Sequence, residues 1–183
     1  MSTRVWLILI APPAVIVLIA MALNYWLDVF TLSGSGLKDI SPETLVATSA
    51  PMVALGYFLT SKPVLSYRPW GDLVRAVTES AIAPLFHAKT LLPILLVSIS
   101  AGVSEELLFR AIMQPKFGLL GAAVIFALAH CANAFMFFVV LFIGLYLGFL
   151  LREYQNLWIA IIAHSVLDFV VFARFRRDLI RRM

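Results

Sequence analysis

Long apolar runs with very little charge constrain this chain more than any other feature of its sequence. About 20 consecutive apolar residues span the hydrocarbon core of a bilayer as an α-helix. Six segments of the 183-residue chain approach that length: 5–27, 45–61, 91–113, 119–133, 135–151 and 157–173. Only 13% of the residues are charged, which is too few to cover a soluble domain of this size. The sequence therefore predicts an all-α fold, a polytopic membrane helix bundle of about six transmembrane helices.

Composition excludes several other classes of protein. With 62% hydrophobic residues the chain cannot remain a solvated, disordered polymer. Cys131 is the only cysteine, so a disulfide scaffold is excluded. The net charge of +4 would suggest nucleic acid in a soluble protein, but here the basic residues lie between apolar runs and form no groove motif. We therefore predict the lipid bilayer as a partner and no nucleic acid, and leave the oligomeric state open.

The distribution of basic residues predicts the orientation. If the amino terminus is inside and there are six spans, ten of the fourteen Lys and Arg residues lie on the inner side: one at the start, four in segment 62–89 and five in the tail 174–183. The positive-inside rule then predicts a multi-pass protein of the cell (inner) membrane with both termini cytoplasmic. Tyr67 and Trp70 lie among the basic residues of 62–89, which is typical of an interfacial helix at the headgroups.

The same pattern divides the chain into three parts. We predict amino-terminal transmembrane helices and the basic interfacial segment over residues 1–90, a catalytic core over 91–173, and a basic cytoplasmic tail over 174–183. Gly144 and Gly148 form a GxxxG pattern in the fifth run, which predicts close helix packing within the bundle.

Ionisable residues within the apolar runs are functional candidates, because a charge at the bilayer centre is costly. The last four runs contain six: Glu105, Glu106, Arg110, His130, His164 and Asp168. Glu106 and Arg110 are four positions apart, so they share a helix face and can pair. Glu105 is rotated about 100° from Glu106 and is left without that partner. A free carboxylate in such a site suits a general base or acid.

Helix geometry predicts that these groups lie at one depth. Glu105 and His130 lie 12 and 13 residues from the predicted turn at 114–118, centred near residue 117. His164 and Asp168 lie 10 and 14 residues beyond the next turn on the same side, near residue 154. At a rise of about 1.5 Å per residue, all four lie roughly 15–21 Å below the turns. They can therefore meet in one layer of the membrane.

Three segments in this layer resemble the motifs of a known family. Glu105–Arg110, with the letters EELLFR, resembles the EExxxR motif of the CAAX protease and bacteriocin-processing family of intramembrane proteases. Phe126–His130 (FALAH) resembles its FxxxH motif, and His164–Asp168 (HSVLD) resembles its HxxxN or HxxxD motif. The resemblance covers about residues 91–173, with order and spacing as in the family. It implies a bacterial intramembrane endopeptidase of the glutamate type.

The resemblance also implies roles for the residues. Glu105 would be the general base that activates water together with His130, while His164 and Asp168 would bind the oxyanion. Glu106, Arg110 and Phe126 would be supporting residues.

Asp168 is a departure from the family, because the eukaryotic members that process CAAX substrates have Asn there. An ionised Asp cannot donate a hydrogen bond to an oxyanion. Asp168 is therefore either protonated or orients His164, as carboxylates orient catalytic histidines. We favour the orienting role.

A metal site is the alternative to a mechanism without cofactors. Glu105, His130 and His164 could hold zinc with an open position for water. The HExxH motif of soluble zinc proteases is absent from the sequence. The resemblance favours a mechanism that uses no cofactor.

Three functions remain open from the sequence. The first is an endopeptidase that cleaves a membrane-anchored protein or peptide, for instance by removing a C-terminal sorting or CAAX-like tail. The second is a non-catalytic bacteriocin-immunity or peptide-binding protein that uses the same cavity. The third is a small proton-coupled transporter, for which the sequence offers no inverted repeat.

Overall fold

In the computed structural model, residues 3–27, 36–80 and 82–180 are described, and every regular element in these ranges is helical. The long helices are α1 (Thr3–Leu27), α2 (Pro42–Leu59), α6 (Leu92–Glu106), α7 (Gln114–Ala129), α8 (Ala134–Tyr154) and α9 (Leu157–Ile180). The short ones are a 3-10 helix (Leu37–Asp39), α3 (Lys62–Ser66), α4 (Arg68–Thr78), α5 (Ala83–Phe86) and a π-helix (Leu107–Met113). The predicted all-α class is confirmed. The side chain of Arg4 and the end of the predicted basic tail, 181–183, lie outside the described residues.

Three described helical stretches are long and apolar enough to cross a membrane: Leu92–Ala129, Ala134–Tyr154 and Leu157–Asp178. A shorter apolar helix covers Ile10–Tyr25. The first stretch contains two antiparallel segments. This is shown by the ring centroids of Phe109 and Phe126, which lie only 4.9 Å apart. A straight helix would separate these residues by about 25 Å. The predicted total of about six spans stays a prediction.

The reversal between these two segments is sharper than predicted. The sequence predicts a turn over 114–118, but residues 114–117 remain helical and the chain reverses at Gly118, with φ 71° and ψ 171°. Pro115 lies inside the helical backbone that continues from the π-helix, three positions before the reversal. Gly118 can take the positive φ because it has no Cβ.

Helix α9 lies at the centre of the bundle and packs against α2, α6 and α8, while α8 packs against α7. The predicted GxxxG packing is confirmed. A Cβ on Gly144 would lie 3.2 Å from Ala123 Cα, and one on Gly148 would lie 2.6 Å from Gln114 Oε1. The missing side chain at Gly144 lets α8 approach the backbone of α7 closely, while the missing side chain at Gly148 makes room for the Gln114 amide.

Close packing of α6 on α9 positions the site. A Cβ on Gly102 would collide with Ser165 Oγ and lie 3.0 Å from Ile161 O. The missing side chain lets the end of α6, which carries Glu105 and Glu106, approach the face of α9 that carries His164. The π-helix that follows Glu106 is an irregularity often found at functional sites.

The segment after α2 folds as α3, α4 and α5, and its predicted position at the headgroups stays a prediction. The Trp70 side chain is covered by protein, and its Nε1 donates a hydrogen bond of 2.8 Å to Leu59 O. An indole can be buried in this way when its N–H has a partner. Tyr67 is half exposed, as an interfacial residue is expected to be.

Candidate active site

The ends of α6 and α7 and the interior of α9 bring the ionisable residues together. Glu105 lies in the last turn of α6, His130 directly follows α7, and His164 and Asp168 lie one turn apart on α9. All four line one cavity. The predicted common layer therefore corresponds to one cluster in the structure.

Glu105 is the centre of this cluster. Its Oε2 lies 3.5 Å from His130 Nε2 and 3.8 Å from His164 Nε2. Its side chain is 15% exposed and that of His130 32%, so both can be reached from the cavity. Separations slightly longer than a direct hydrogen bond are those that a water molecule can bridge. The arrangement can accommodate a water between a carboxylate and two imidazoles.

The backbone determines the tautomer of His130. Its Nδ1 lies 2.9 Å from Phe126 O, and a carbonyl oxygen can only accept a hydrogen bond. The proton is therefore on Nδ1, and Nε2 faces Glu105 with its lone pair unless a further proton is shared between them. His130 is thus arranged to exchange a proton with Glu105.

His164 is oriented by Glu106, which the sequence reasoning missed. Its Nδ1 lies 2.7 Å from Glu106 Oε1, so the imidazole donates to a buried carboxylate. Asp168 Oδ2 lies 3.7 Å from His164 Nε2, which is longer than a hydrogen bond. The orienting role that the sequence analysis favoured for Asp168 therefore belongs to Glu106. Asp168 instead faces the cavity next to the free nitrogen of His164.

Glu106 and Arg110 form the predicted ion pair, and both side chains are at most 1% exposed. Arg110 Nε lies 3.0 Å from Glu106 Oε2, and Arg110 Nη2 donates to Gly144 O at 3.3 Å. The 3.0 Å approach is an ion contact without hydrogen-bond alignment, since Glu106 Oε2 has no hydrogen-bond partner in the described part of the chain. The pair therefore keeps two charges buried and fixes the carboxylate that holds His164.

Phe126 is the apolar support of the cluster. The Arg110 guanidinium lies 4.6 Å from its ring centroid, an arrangement in which the ring stabilises the cation. The ring centroids of His130 and His164 lie 4.6 Å and 5.9 Å away. One aromatic ring therefore packs against the buried cation and both candidate catalytic imidazoles.

The cluster contains more acidic than basic groups. Three carboxylates and one guanidinium would leave a net charge of −2 if both imidazoles were neutral. In a medium of low dielectric constant an uncompensated charge is costly. Protons held on the imidazoles or carboxyl groups reduce this cost, so the cluster is suited to holding and moving protons.

The cavity has a volume of about 290 Å³ and is polar only at this cluster. Apolar side chains of α4, α6, α8 and α9 form the rest of its wall, among them Trp70, Val97, Ile143 and Phe172. Such a space has the shape and lining typical of a site for an apolar ligand, with a few polar groups at one end.

The sequence analysis kept zinc as an alternative, held by Glu105, His130 and His164. Within residues 3–27, 36–80 and 82–180, no group of three or more His, Cys, Asp or Glu residues has the arrangement of a metal site.

Comparison with known proteins agrees with the resemblance of the motifs. Residues 87–170 match the family model described as type II CAAX prenyl endopeptidase Rce1-like. The chain is also 29% identical over 101 residues to uncharacterized protein YpbD of Bacillus subtilis (strain 168). This match covers 54% of the chain and 53% of the relative, so the chain matches about half the length of that relative. No solved structure matches the chain significantly.

Proposed function

We propose that this membrane protein is an intramembrane endopeptidase, because residues 87–170 match the family model described as type II CAAX prenyl endopeptidase Rce1-like. It hydrolyses a peptide bond in a membrane-associated protein or peptide. The observation that supports the proposal most directly is the position of Glu105, with two imidazole nitrogens within 4 Å of Oε2 (3.5 Å and 3.8 Å) at the polar end of an apolar cavity.

In the proposed reaction Glu105 and His130 activate water. A water between Glu105 Oε2 and His130 Nε2 loses a proton to this pair as its oxygen attacks the carbonyl carbon of the scissile bond. The C–N bond then breaks, and the same proton passes to the leaving amine. His164 donates from Nε2 to the carbonyl oxygen when both of its ring nitrogens carry a proton, and Asp168 donates when its carboxyl group is protonated, so together they stabilise the negative charge. No cofactor takes part in these steps.

The cavity indicates the kind of substrate. A mostly apolar wall of this volume fits an apolar segment next to the scissile bond. We propose that the protein removes a C-terminal segment, such as a sorting or CAAX-like tail, from a membrane-anchored protein or peptide.

The test compares membranes of cells that make the wild-type chain or the Glu105→Gln variant. New protein C-termini are quantified by mass spectrometry, and a farnesylated peptide with a CAAX end serves as a defined probe. We expect termini that form only with wild type. If no terminus and no probe cleavage depends on Glu105, the chain is not an endopeptidase of this kind, and the peptide-binding alternative is favoured.

The same assay distinguishes the metal alternative. We expect 1,10-phenanthroline, which removes zinc, to leave the Glu105-dependent cleavage unchanged. Loss of cleavage with the chelator and its return with added zinc would contradict the mechanism without cofactors.

Asp168 can act as an oxyanion donor only when its carboxyl group carries a proton. The Asp168→Asn variant supplies a donor of similar shape without requiring that proton, so we expect cleavage within about threefold of wild type. Asp168→Ala removes the donor, and we expect a loss of about 100-fold or more. Initial cleavage rates are the measurement. If Asp168→Asn is as inactive as Asp168→Ala, Asp168 acts as a charged acceptor instead.

We propose that α3–α5 and the end of α9 face the cytoplasm. Arg174 hydrogen-bonds to Thr60, and Arg176 donates to Ala88 O at 2.8 Å, so the basic end of α9 contacts the residues that flank α3–α5 on both sides. Glu153, near the end of α8, lies at the opposite end of the bundle, where α9 begins. By the positive-inside rule the basic end is cytoplasmic.

Cysteine labelling tests this orientation. In a Cys131→Ser background, we expect Ala76→Cys to react with a membrane-impermeant maleimide only in inside-out vesicles, because α4 lies at the basic end. Glu153→Cys is the matched position at the other end and is expected to react only in right-side-out vesicles. The reversed pattern would contradict the proposed topology.

A further inference from the structure

The side chain of Asn133 joins three parts of the structure around the candidate active site. It follows His130 by three positions and caps α8, where its Oδ1 accepts a hydrogen bond of 2.9 Å from Met136 N. Its Nδ2 donates a hydrogen bond of 2.9 Å to Pro69 O in the first turn of α4. One amide group thus connects the turn after His130 with a helix that lies 64 positions away in the sequence.

Helix α4 is a wall of the cavity. Its apolar residues Trp70, Leu73, Val74 and Val77 line the same space as the candidate catalytic residues. Its outer face is polar and exposed, so no described element covers it from that side. The position of α4 therefore determines the shape of the space that a substrate would occupy.

A second contact attaches α4 to the same short segment. The rings of Tyr67 and Trp70 pack edge-on against Phe135, with centroids 5.2 Å and 5.8 Å apart. Phe135 and Asn133 are both within five positions of His130. The polar and the aromatic contact together hold α4 against the turn from which His130 reaches Glu105.

We propose that Asn133 is a positioning residue that couples the α4 wall of the cavity to His130. Its amide donor keeps the wall and the histidine in a fixed relation, so that the helix that shapes the substrate space also positions His130 for proton transfer. This inference rests on the proposed function, because it takes the cavity to be the place where the substrate binds. A displacement of about 1 Å in such a site can lower a rate by about 100-fold.

The test separates the two hydrogen bonds of Asn133. Asn133→Asp and Asn133→Ser both keep an oxygen that can cap α8, since Asp, Ser and Asn are all good N-cap residues. The ionised Asp carboxylate has no donor for Pro69 O and places an acceptor opposite that carbonyl, whereas the Ser hydroxyl ends one bond short of the position of Asn133 Nδ2. We measure hydrogen–deuterium exchange of the full-length protein in detergent and kcat and KM for the Glu105-dependent cleavage of the farnesylated CAAX peptide.

Asn156 is the matched control. Its Oδ1 accepts from Trp158 N at 3.0 Å, and its Nδ2 donates to Gly36 O at 3.3 Å, which is the same pattern at the opposite end of the bundle. Asn156→Asp therefore removes a comparable side-chain hydrogen bond, to Gly36 O, at a position that makes no contact with α4 through this amide. A general loss of stability would affect both variants, whereas coupling between α4 and His130 would affect Asn133 variants only.

We expect faster exchange within Arg68–Thr78 in both Asn133 variants, unchanged exchange in the first turn of α8, and a kcat about tenfold below wild type. We expect Asn156→Asp to change neither α4 exchange nor kcat. Unchanged exchange in α4 of the Asn133 variants would contradict the proposal that the hydrogen bond from Asn133 to Pro69 O holds α4 in place. Faster exchange with wild-type kcat would overturn the positioning role. The exchange measurement does not require catalysis. It therefore tests whether Asn133 holds α4 in place even if no cleavage depends on Glu105.

Discussion

Replacing Glu105 by Gln is expected to lower the rate of substrate cleavage by about 100- to 10,000-fold, the usual contribution of general acid–base catalysis. Gln keeps the size of the side chain and can still hydrogen-bond, but it cannot accept the proton of the attacking water. We expect this large loss of rate because Oε2 of Glu105 is the atom that both His130 and His164 approach.

The measurement is the initial rate of cleavage by the purified protein in proteoliposomes, with the farnesylated CAAX peptide or the substrate identified from its new C-terminus. The control is Glu153→Gln, which makes the same chemical change on an exposed residue at the end of α8. We expect Glu153→Gln to cleave at the wild-type rate.

A second readout separates catalysis from folding. Glu105 is not part of the buried ion pair, so Glu105→Gln is expected to unfold within a few degrees of wild type in detergent. Wild-type cleavage by a folded Glu105→Gln variant would show that another group activates the water. Loss of cleavage together with loss of folding would contradict the view that Glu105 contributes little to the stability of the fold.

The convergence of four site residues could be predicted from the sequence for a simple reason. The rise of an α-helix is fixed, so counting residues from a turn gives depth in a membrane, and Glu105, His130, His164 and Asp168 gave the same depth on three segments. The structure places them around one cavity. The fold class followed from the apolar runs in the same way, because only helices satisfy the backbone over such lengths in lipid when no barrel pattern is present.

The sequence could not predict how the packed helices are rotated about their axes, and therefore which of their side chains face one another. Counting gives depth, but which side chain of α6 meets His164 depends on how closely α6 packs on α9. The spacing of four between His164 and Asp168 suggested a contact, yet the hydrogen bond of 2.7 Å comes from Glu106, 58 positions away. An i, i+4 spacing permits a contact and does not require one.

The interfacial segment shows a second limit. Trp70 among basic residues has the sequence character of a headgroup anchor, and no local pattern reveals that Leu59 O accepts its N–H. The π-helix after Glu106 likewise depends on packing, since helix propensity does not distinguish α from π geometry. In both cases a tertiary contact decides the local structure.

The buried pair of Glu106 and Arg110 leads to the largest expected effect on stability. Removing one partner of a buried ion pair leaves an uncompensated charge and costs about 3–5 kcal/mol. Both side chains are almost completely buried, and Arg110 also contacts Gly144 O and the ring of Phe126. Arg110→Met keeps much of the apolar stem and removes the charge, so we expect a strong fall in the unfolding temperature in detergent.

The control for this change is Arg152→Met. Arg152 is exposed near the end of α8, with its guanidinium 5.8 Å from the Phe149 ring. An exposed cation of this kind contributes little to stability, so we expect an unfolding temperature close to that of wild type.

A double variant distinguishes the burial of charge from the orientation of His164. Glu106→Gln combined with Arg110→Met removes both charges, while the Gln carbonyl oxygen can still accept the hydrogen bond from His164 Nδ1. If uncompensated charge is what destabilises Arg110→Met, the double variant regains a large part of the lost unfolding temperature. We expect it to cleave more slowly than wild type, because a neutral amide holds the imidazole less strongly than a carboxylate does. A double variant that is as unstable as Arg110→Met would mean that the contacts of Arg110 with Gly144 and Phe126, rather than its charge pairing with Glu106, carry its contribution to stability.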